Sequence, residues 1–229
     1  MHSFLLVQLN PVAGALALLR PLRNIPGLRH AEVMSGMRLG APVISPARMQ
    51  VHRLAVFAEW ENEESLERFL AEHPFGRRLA TGWHVRLQFQ RRWGSVAEFG
   101  HLPEIADRSD PNEPIVAVTM ARMRLIELPR FIKWGRPVER QVRDDPFTNL
   151  ALAAARPPRT VSTFSVWQTA RAMSDMVHGR AASDDAERHA NAMVERERRD
   201  FHHEFTTLRF RPLAEFGRWE GRTGIVPRR

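Results

Sequence analysis

The chain has 229 residues, 43% of them hydrophobic and 26% charged, enough to bury a substantial core as one large domain or as two units of about 100 residues. It contains no cysteine and no tyrosine, which excludes disulfides, thiolate chemistry, Cys-ligated metal centres and phenolate ligands. The net charge of +8 is nearly all arginine, but the arginines alternate with acids, as in Glu195-Arg196-Glu197-Arg198-Arg199-Asp200, and no helix-turn-helix, zinc-finger or RNA-recognition signature accompanies them, so no nucleic-acid partner is expected.

Residues 4–9 form a short apolar run that reads as a strand. Gln8 and Asn10 interrupt it long before it is long enough to cross a bilayer, and no later stretch is longer. A cytoplasmic protein is therefore expected, with a peripheral membrane contact left open. Residues 13–22 read as a helix closed by Pro21, Pro26 and Gly27, followed by a strand around 30–36 and a Gly/Pro-rich loop over 36–48. Residues 51–60 alternate, with Leu54, Val56, Ala58 and Trp60 on one face; 63–70 is helical, with Leu66, Phe69 and Leu70 at helical spacing; 84–90 alternates again. Residues 101–113, rich in Pro, Asp and Glu, form a linker. The same order then returns: strand 114–122, helix 125–142, strands 148–154 and 160–167, helix 169–178, a longer helix from 183 to 201, and strand 205–211.

The two halves also share side chains. Phe57, Trp60, Leu66, Phe69 and Leu70 recur at the same spacing as Phe164, Trp167, Met173, Met176 and Val177, and the tetrapeptide Ala-Glu-Phe-Gly occurs at 97–100 and 214–217. The expected fold is α+β: a tandem duplication of ferredoxin-like units, residues 1–100 and 114–229, the second with an enlarged last helix. Such units pack as an α+β barrel with helices outside and a cavity between the sheets.

Four segments resemble the spheroidene monooxygenase family, which uses oxygen to install a keto group on an acyclic carotenoid. They are Pro21-Leu22-Arg23-Asn24-Ile25-Pro26-Gly27 leading to Val33-Met34-Ser35-Gly36; the run from Leu54 to Leu70; Arg143-Asp144-Asp145-Pro146 with Thr163-Phe164-Ser165-Val166-Trp167 and Met173; and His189-Ala190-x-Ala192 with Phe201, Glu204-Phe205 and Arg209-Phe210. The resemblance implies a haem-dependent monooxygenase, or a relative that keeps the haem pocket. It departs from the family at residues 150–155, which are apolar and small where members carry a Lys-rich approach.

His189 is the candidate haem-iron ligand. Ser183 or Asp184 caps its helix, and Ala186, Ala190 and Met193 surround it with small and apolar neighbours that leave room for a flat macrocycle. The competing reading is a packed histidine with a backbone partner. Met193 joins His189 as a cofactor contact. Arg209, with Arg122 and Arg124, is a candidate partner for haem propionates or an oxyanion if it points into the barrel, and is simply solvated if it points out. Ser162, Ser165 and Trp167 are the candidate substrate-pocket residues. His178 suits a helix C-cap better than a distal base, while Trp93 and Trp219 suit packing. Adjacent His202 and His203 point oppositely on a strand, no His-Glu-x-x-His or facial-triad spacing occurs, and no nucleotide-binding glycine loop is present.

Three functions follow for test. The first is a haem monooxygenase acting on a hydrophobic, carotenoid- or lipid-like substrate, fed by an external electron donor. The second is a cofactor-free monooxygenase, and the third a haem- or lipid-binding barrel without turnover. Oligomeric state, including a homo-oligomer, is left open.

Overall fold

The order strand, helix, strand, strand, helix, strand runs twice along the chain. In the first unit it is β1 (His2–Gln8), α1 (Pro11–Leu19), β2 (Leu28–Met37), β3 (Gln50–Trp60), α2 (Glu63–Glu72) with α3 (Pro74–Ala80), and β4 (Trp83–Ser95). In the second it is β5 (Ile115–Met123), α4 (Leu128–Asp144), β6 (Thr148–Arg156), β7 (Thr160–Trp167), α5 (Ala170–Val177) with α6 (Arg188–Arg198), and β8 (His202–Phe216). The structure, a computed structural model, describes residues 1–42, 45, 48–180 and 187–227. The eight strands close into an antiparallel barrel in the order β1-β3-β2-β6-β7-β5-β8-β4. Each unit thus contributes one four-stranded ferredoxin-like sheet, and the sheets meet at β2–β6 and β4–β8. Every strand pairs on both sides, though β2 and β6 meet over only three residue pairs, Ser35, Gly36 and Met37 with Ala155, Ala154 and Ala153.

The duplication is plain at the aromatic strands. Trp60 and Trp167 end β3 and β7 on the helix-facing side, and Leu66 and Phe69 pack over the first as Met173 and Met176 pack over the second. The helices that follow begin alike: Asn62 accepts from the Ser65 amide at 2.9 Å, and Thr169 accepts from the Ala172 amide at 3.1 Å. Each cap satisfies an amide that the first helical turn leaves without a partner. The tetrapeptide repeat is not equivalent in the same way, because 97–99 is a 3-10 turn while 214–216 continues strand β8.

The interior of the barrel is packed rather than hollow, which corrects the expected cavity between the sheets. Phe4, Leu6, Met34, Phe57, Trp83, Val118, Met120, Phe164, Leu208 and Phe210 fill it, and the rings of Phe4 and Phe164 stack across it at 3.7 Å. One end is closed by charge. Glu32, entirely buried, pairs with Arg122 at 2.5 Å and Arg156 at 2.7 Å, and Arg122 also reaches Glu98 at 2.6 Å. The other end is stoppered by Trp219 and Ile225, where the Glu215 carboxylate accepts from Trp83 Nε1 at 2.7 Å and from the amides of Ile225 and Val226.

Several boundaries differ from expectation for local reasons. The first helix begins at Pro11 and ends at Leu19, since the Asn10 side chain caps it and Pro21 cannot continue it. A further short helix covers 74–80, beyond the expected set; Pro74 opens it and the His73 ring caps it. The last helix stops at Arg198, three residues short of the expected end, because Asp200 accepts from the His202 amide and turns the chain into β8. Its expected cap at Ser183 or Asp184, and Ala186, lie outside the described residues.

Candidate functional site

Outside the barrel the two sheets are covered differently. In the first unit, one row across the sheet reads His84, Leu5, Val56, Val33, each residue directly opposite the next. Leu5, Val56 and Val33 there belong to a single core with Leu54, Trp60, Leu66, Phe69 and Leu79. The corresponding row in the second unit reads Thr207, Thr119, Thr163, Ala153. Its helix-side core is split in two. Ile115, Trp167, Met173, Met176, Val142 and Val177 gather at one end of the strands; Ala121, Met123, Val161, Phe131, Trp134, Phe201 and Phe205 gather at the other. Thr163 lies between them, exposed at the centre of a central strand, while Thr119 and Thr207 are half-buried with their hydroxyls 3.2 Å apart.

Helix α6 bridges the two clusters. The His189 amide donates to Gln141 of α4 at 3.1 Å, and Arg130 near the start of α4 binds Glu195 at 2.8 Å, so α6 runs antiparallel to α4. Further along, the Arg196 guanidinium stacks on Phe205, a neighbour of Thr207 on the same face of β8. No residue of α6 is buried; His189, Ala190, Met193 and Arg196 are half-buried, and Asn191 and Val194 are exposed. A helix whose inner side is only half covered, over a row of threonines, is what a helix layer missing part of its packing looks like.

His189 is held in one tautomer. Its Nδ1 lies 3.0 Å from the carbonyl oxygen of Val177, at the end of α5, and burial pushes its pKa below the ordinary histidine range. The ring is thus neutral with its proton on Nδ1, and Nε2 keeps a free lone pair with no partner among the described residues. Metal-ligating imidazoles are commonly oriented in this way, one nitrogen donating to a carbonyl and the other left to the metal. The donor set and the small Thr/Ala floor therefore fit a haem.

Arg209 sits on the same outer face, opposite Ala117 in the next strand. Its guanidinium stacks on Trp93 at 4.2 Å, with Arg91 on the same ring. Burial, then the Arg91 charge, pulls its pKa down to about 10; its Nε is buried with no hydrogen-bond partner, and no carboxylate pairs with it among the described residues. A half-buried cation with an unpartnered Nε and no carboxylate beside it suits an anionic group.

The other candidates separate by strand alternation. Ser165 and Trp167 lie on the helix side, joined by a 2.8 Å hydrogen bond from Trp167 Nε1 to Ser165 Oγ, both buried under α5. Ser162 points the opposite way, into the barrel, so these three do not line one pocket. Arg122 also points inward and is consumed by Glu32 and Glu98, and Arg124 is exposed. His178 caps α5, its Nδ1 donating to the Ser174 carbonyl at 2.7 Å. Sequence reasoning missed Thr119, Thr163, Thr207, Gln141 and Val177. A signal was present: Thr163 stands where the repeat spacing puts Val56.

No family model matches the chain. Over 181 residues it is 25% identical to the spheroidene monooxygenase of Cereibacter sphaeroides, an alignment covering 76% of this chain and 53% of that protein. The chain thus spans about half the length of the curated relative it matches. Among solved structures, an aldoxime dehydratase in complex with butyraldoxime aligns with a TM-score of 0.57 over 93% of this chain and 79% of its own, at 8% identity, which shows a shared fold. A haem-degrading enzyme from Listeria monocytogenes aligns more loosely, at a TM-score of 0.29 and 12% identity over 90% of this chain and 97% of its own. Among the described residues, no helix is long and apolar enough to cross a membrane.

Proposed function

We propose that the chain is a haem-binding oxygenase of the monooxygenase type, acting on a hydrophobic, carotenoid- or lipid-like substrate, with the haem seated between the threonine row and α6. The observation that carries this reading is the oriented His189 on a half-buried helix, beside a threonine row that divides the second unit's helix-side core into two clusters. Likeness to a spheroidene monooxygenase supports the reaction class and the substrate chemistry.

In this reading His189 Nε2 would hold the iron, with the half-buried Ala190 and Met193 beside it on α6. Arg209 neutralises a propionate. The Thr119, Thr163 and Thr207 hydroxyls would orient oxygen and the polar end of substrate. Bound haem supplies oxygen activation, with electrons from an external donor. The chain itself positions the ring and, through the two apolar clusters, keeps bulk water from its edges.

Purified protein mixed with haemin tests the reading. A single saturating site with a shifted Soret band, and oxygen-dependent conversion of an acyclic polyene with an added reductant system, are expected. Haem binding without turnover would reduce the protein to a carrier; turnover without haem would make it a cofactor-free oxygenase.

A further inference from the structure

Helix α1 has the composition of a buried helix but lies on the surface. Its sequence, Pro-Val-Ala-Gly-Ala-Leu-Ala-Leu-Leu, carries no charged or hydrogen-bonding side chain. It lies flat on β3 because Gly14 abuts the Val51 carbonyl, where a Cβ would stand 1.9 Å from the oxygen. The opposite face is open: Val12 is 71% exposed, Leu16 47% and Leu19 79%. A surface helix ordinarily turns polar residues outward, as α2 does with Glu64, Glu67 and Arg68.

The charge around α1 is equally one-sided. Residues 1–58 contain the six arginines Arg20, Arg23, Arg29, Arg38, Arg48 and Arg53, and a single carboxylate, Glu32, which is buried inside the barrel. Three of the arginines are paired, Arg29 with Glu59, Arg48 with Glu139 and Arg53 with Glu220. Arg20 and Arg23, exposed and directly following α1, carry no carboxylate partner among the described residues.

We propose that α1 and the arginines after it dock the protein on an anionic lipid surface, with Val12, Leu16 and Leu19 entering the headgroup–acyl boundary and Arg20 and Arg23 meeting lipid phosphates. An apolar helix face combined with adjacent basic residues is the pairing that interfacial binding needs, since either contribution alone is weak. A second copy of the chain is the poorer occupant, because a two-fold contact through α1 brings Arg20 and Arg23 of each copy towards those of the other. The inference rests on residues of the first unit and stands apart from the cofactor reading of the second.

Flotation of the full chain with vesicles tests it, using phosphatidylcholine alone or mixed with phosphatidylglycerol. Binding to the mixed vesicles is expected, weakened by added salt, and reduced about tenfold or more by Leu19→Glu, which introduces a charge at an exposed site and leaves the circular dichroism unchanged. Arg20→Gln with Arg23→Gln should lower binding to the mixed vesicles only. Absence of binding by the wild type, or equal binding by Leu19→Glu, overturns the proposal. So does a lipid-free dimer, seen by light scattering, that Leu19→Glu dissociates, for then the face belongs to a second copy.

Discussion

The Nδ1 of His189 and the carbonyl oxygen of Val177 are 3.0 Å apart, and since a carbonyl only accepts, that contact fixes the imidazole tautomer. It ties the first turn of α6 to the end of α5, and it leaves Nε2 free on a helix that is nowhere buried. The relationship would be unremarkable over a continuous core. Over the threonine row it is the anchor of the proposed site.

Filling the gap should abolish the site. Thr163→Phe places a ring on an exposed position, so the fold should survive while haem uptake falls by about tenfold or more. Absorbance titration beside circular dichroism checks this. The reverse exchange, Val56→Thr, puts a hydroxyl into the continuous core of the first unit and should cost roughly 1–3 kcal/mol in urea unfolding without touching haem uptake.

Arg209→Gln should act differently on the two states of the protein. Removing a half-buried guanidinium that has no carboxylate partner among the described residues should leave the haem-free protein about as stable. If the arginine meets a propionate, haem affinity should fall by about 10–100-fold, as for a lost charge-assisted hydrogen bond. Thermal melts with and without haem separate the two.

The repeated helix caps give a check on the duplication itself. Asn62→Ala and Thr169→Ala should each destabilise the fold by about 1 kcal/mol, measured by urea unfolding. A clear loss at one cap and none at the other would show that the two helices begin differently in solution.

Stability should fall on mild acidification. Burial, only partly opposed by Asp200, lowers the His202 pKa from 6.5 to about 4, and burial also lowers those of His84 and His189. Because the folded pKa lies below the unfolded one, the unfolded chain takes up protons first. Stability is therefore complete above about pH 6.5 and is lost as pH falls through the folded values, His202 alone accounting for up to roughly 3 kcal/mol by pH 4. Urea midpoints for wild type and His202→Asn should converge over that window.

Much of this was legible in the sequence. Alternation and the repeated Phe-x-x-Trp spacing located the strands and the duplication, because large core side chains must recur where the same packing recurs. His189 stood out by its small neighbours. What the sequence hid was which face each strand residue takes across the sheet. Ser162, Ser165 and Trp167 sit within six residues yet divide between the barrel interior and the helix layer. The threonine row was hidden for the same reason: Thr119, Thr163 and Thr207 are far apart in the chain, and only strand pairing aligns them. Arg122 reads like Arg209 in sequence, but one residue's difference in phase turns it towards Glu32.

The most direct test of the account is haem titration of the wild type and of His189→Ala, followed by Soret absorbance, with folding checked by circular dichroism. Alanine is well tolerated in a helix, so the variant should keep its fold. The account predicts one haem per chain in the wild type, with a Soret band typical of axial histidine, and a weakened or shifted band in the variant. A wild type that takes up no haem, or a variant whose spectrum and affinity match it, would contradict the assignment and leave His189 an ordinary packed histidine bonded to Val177.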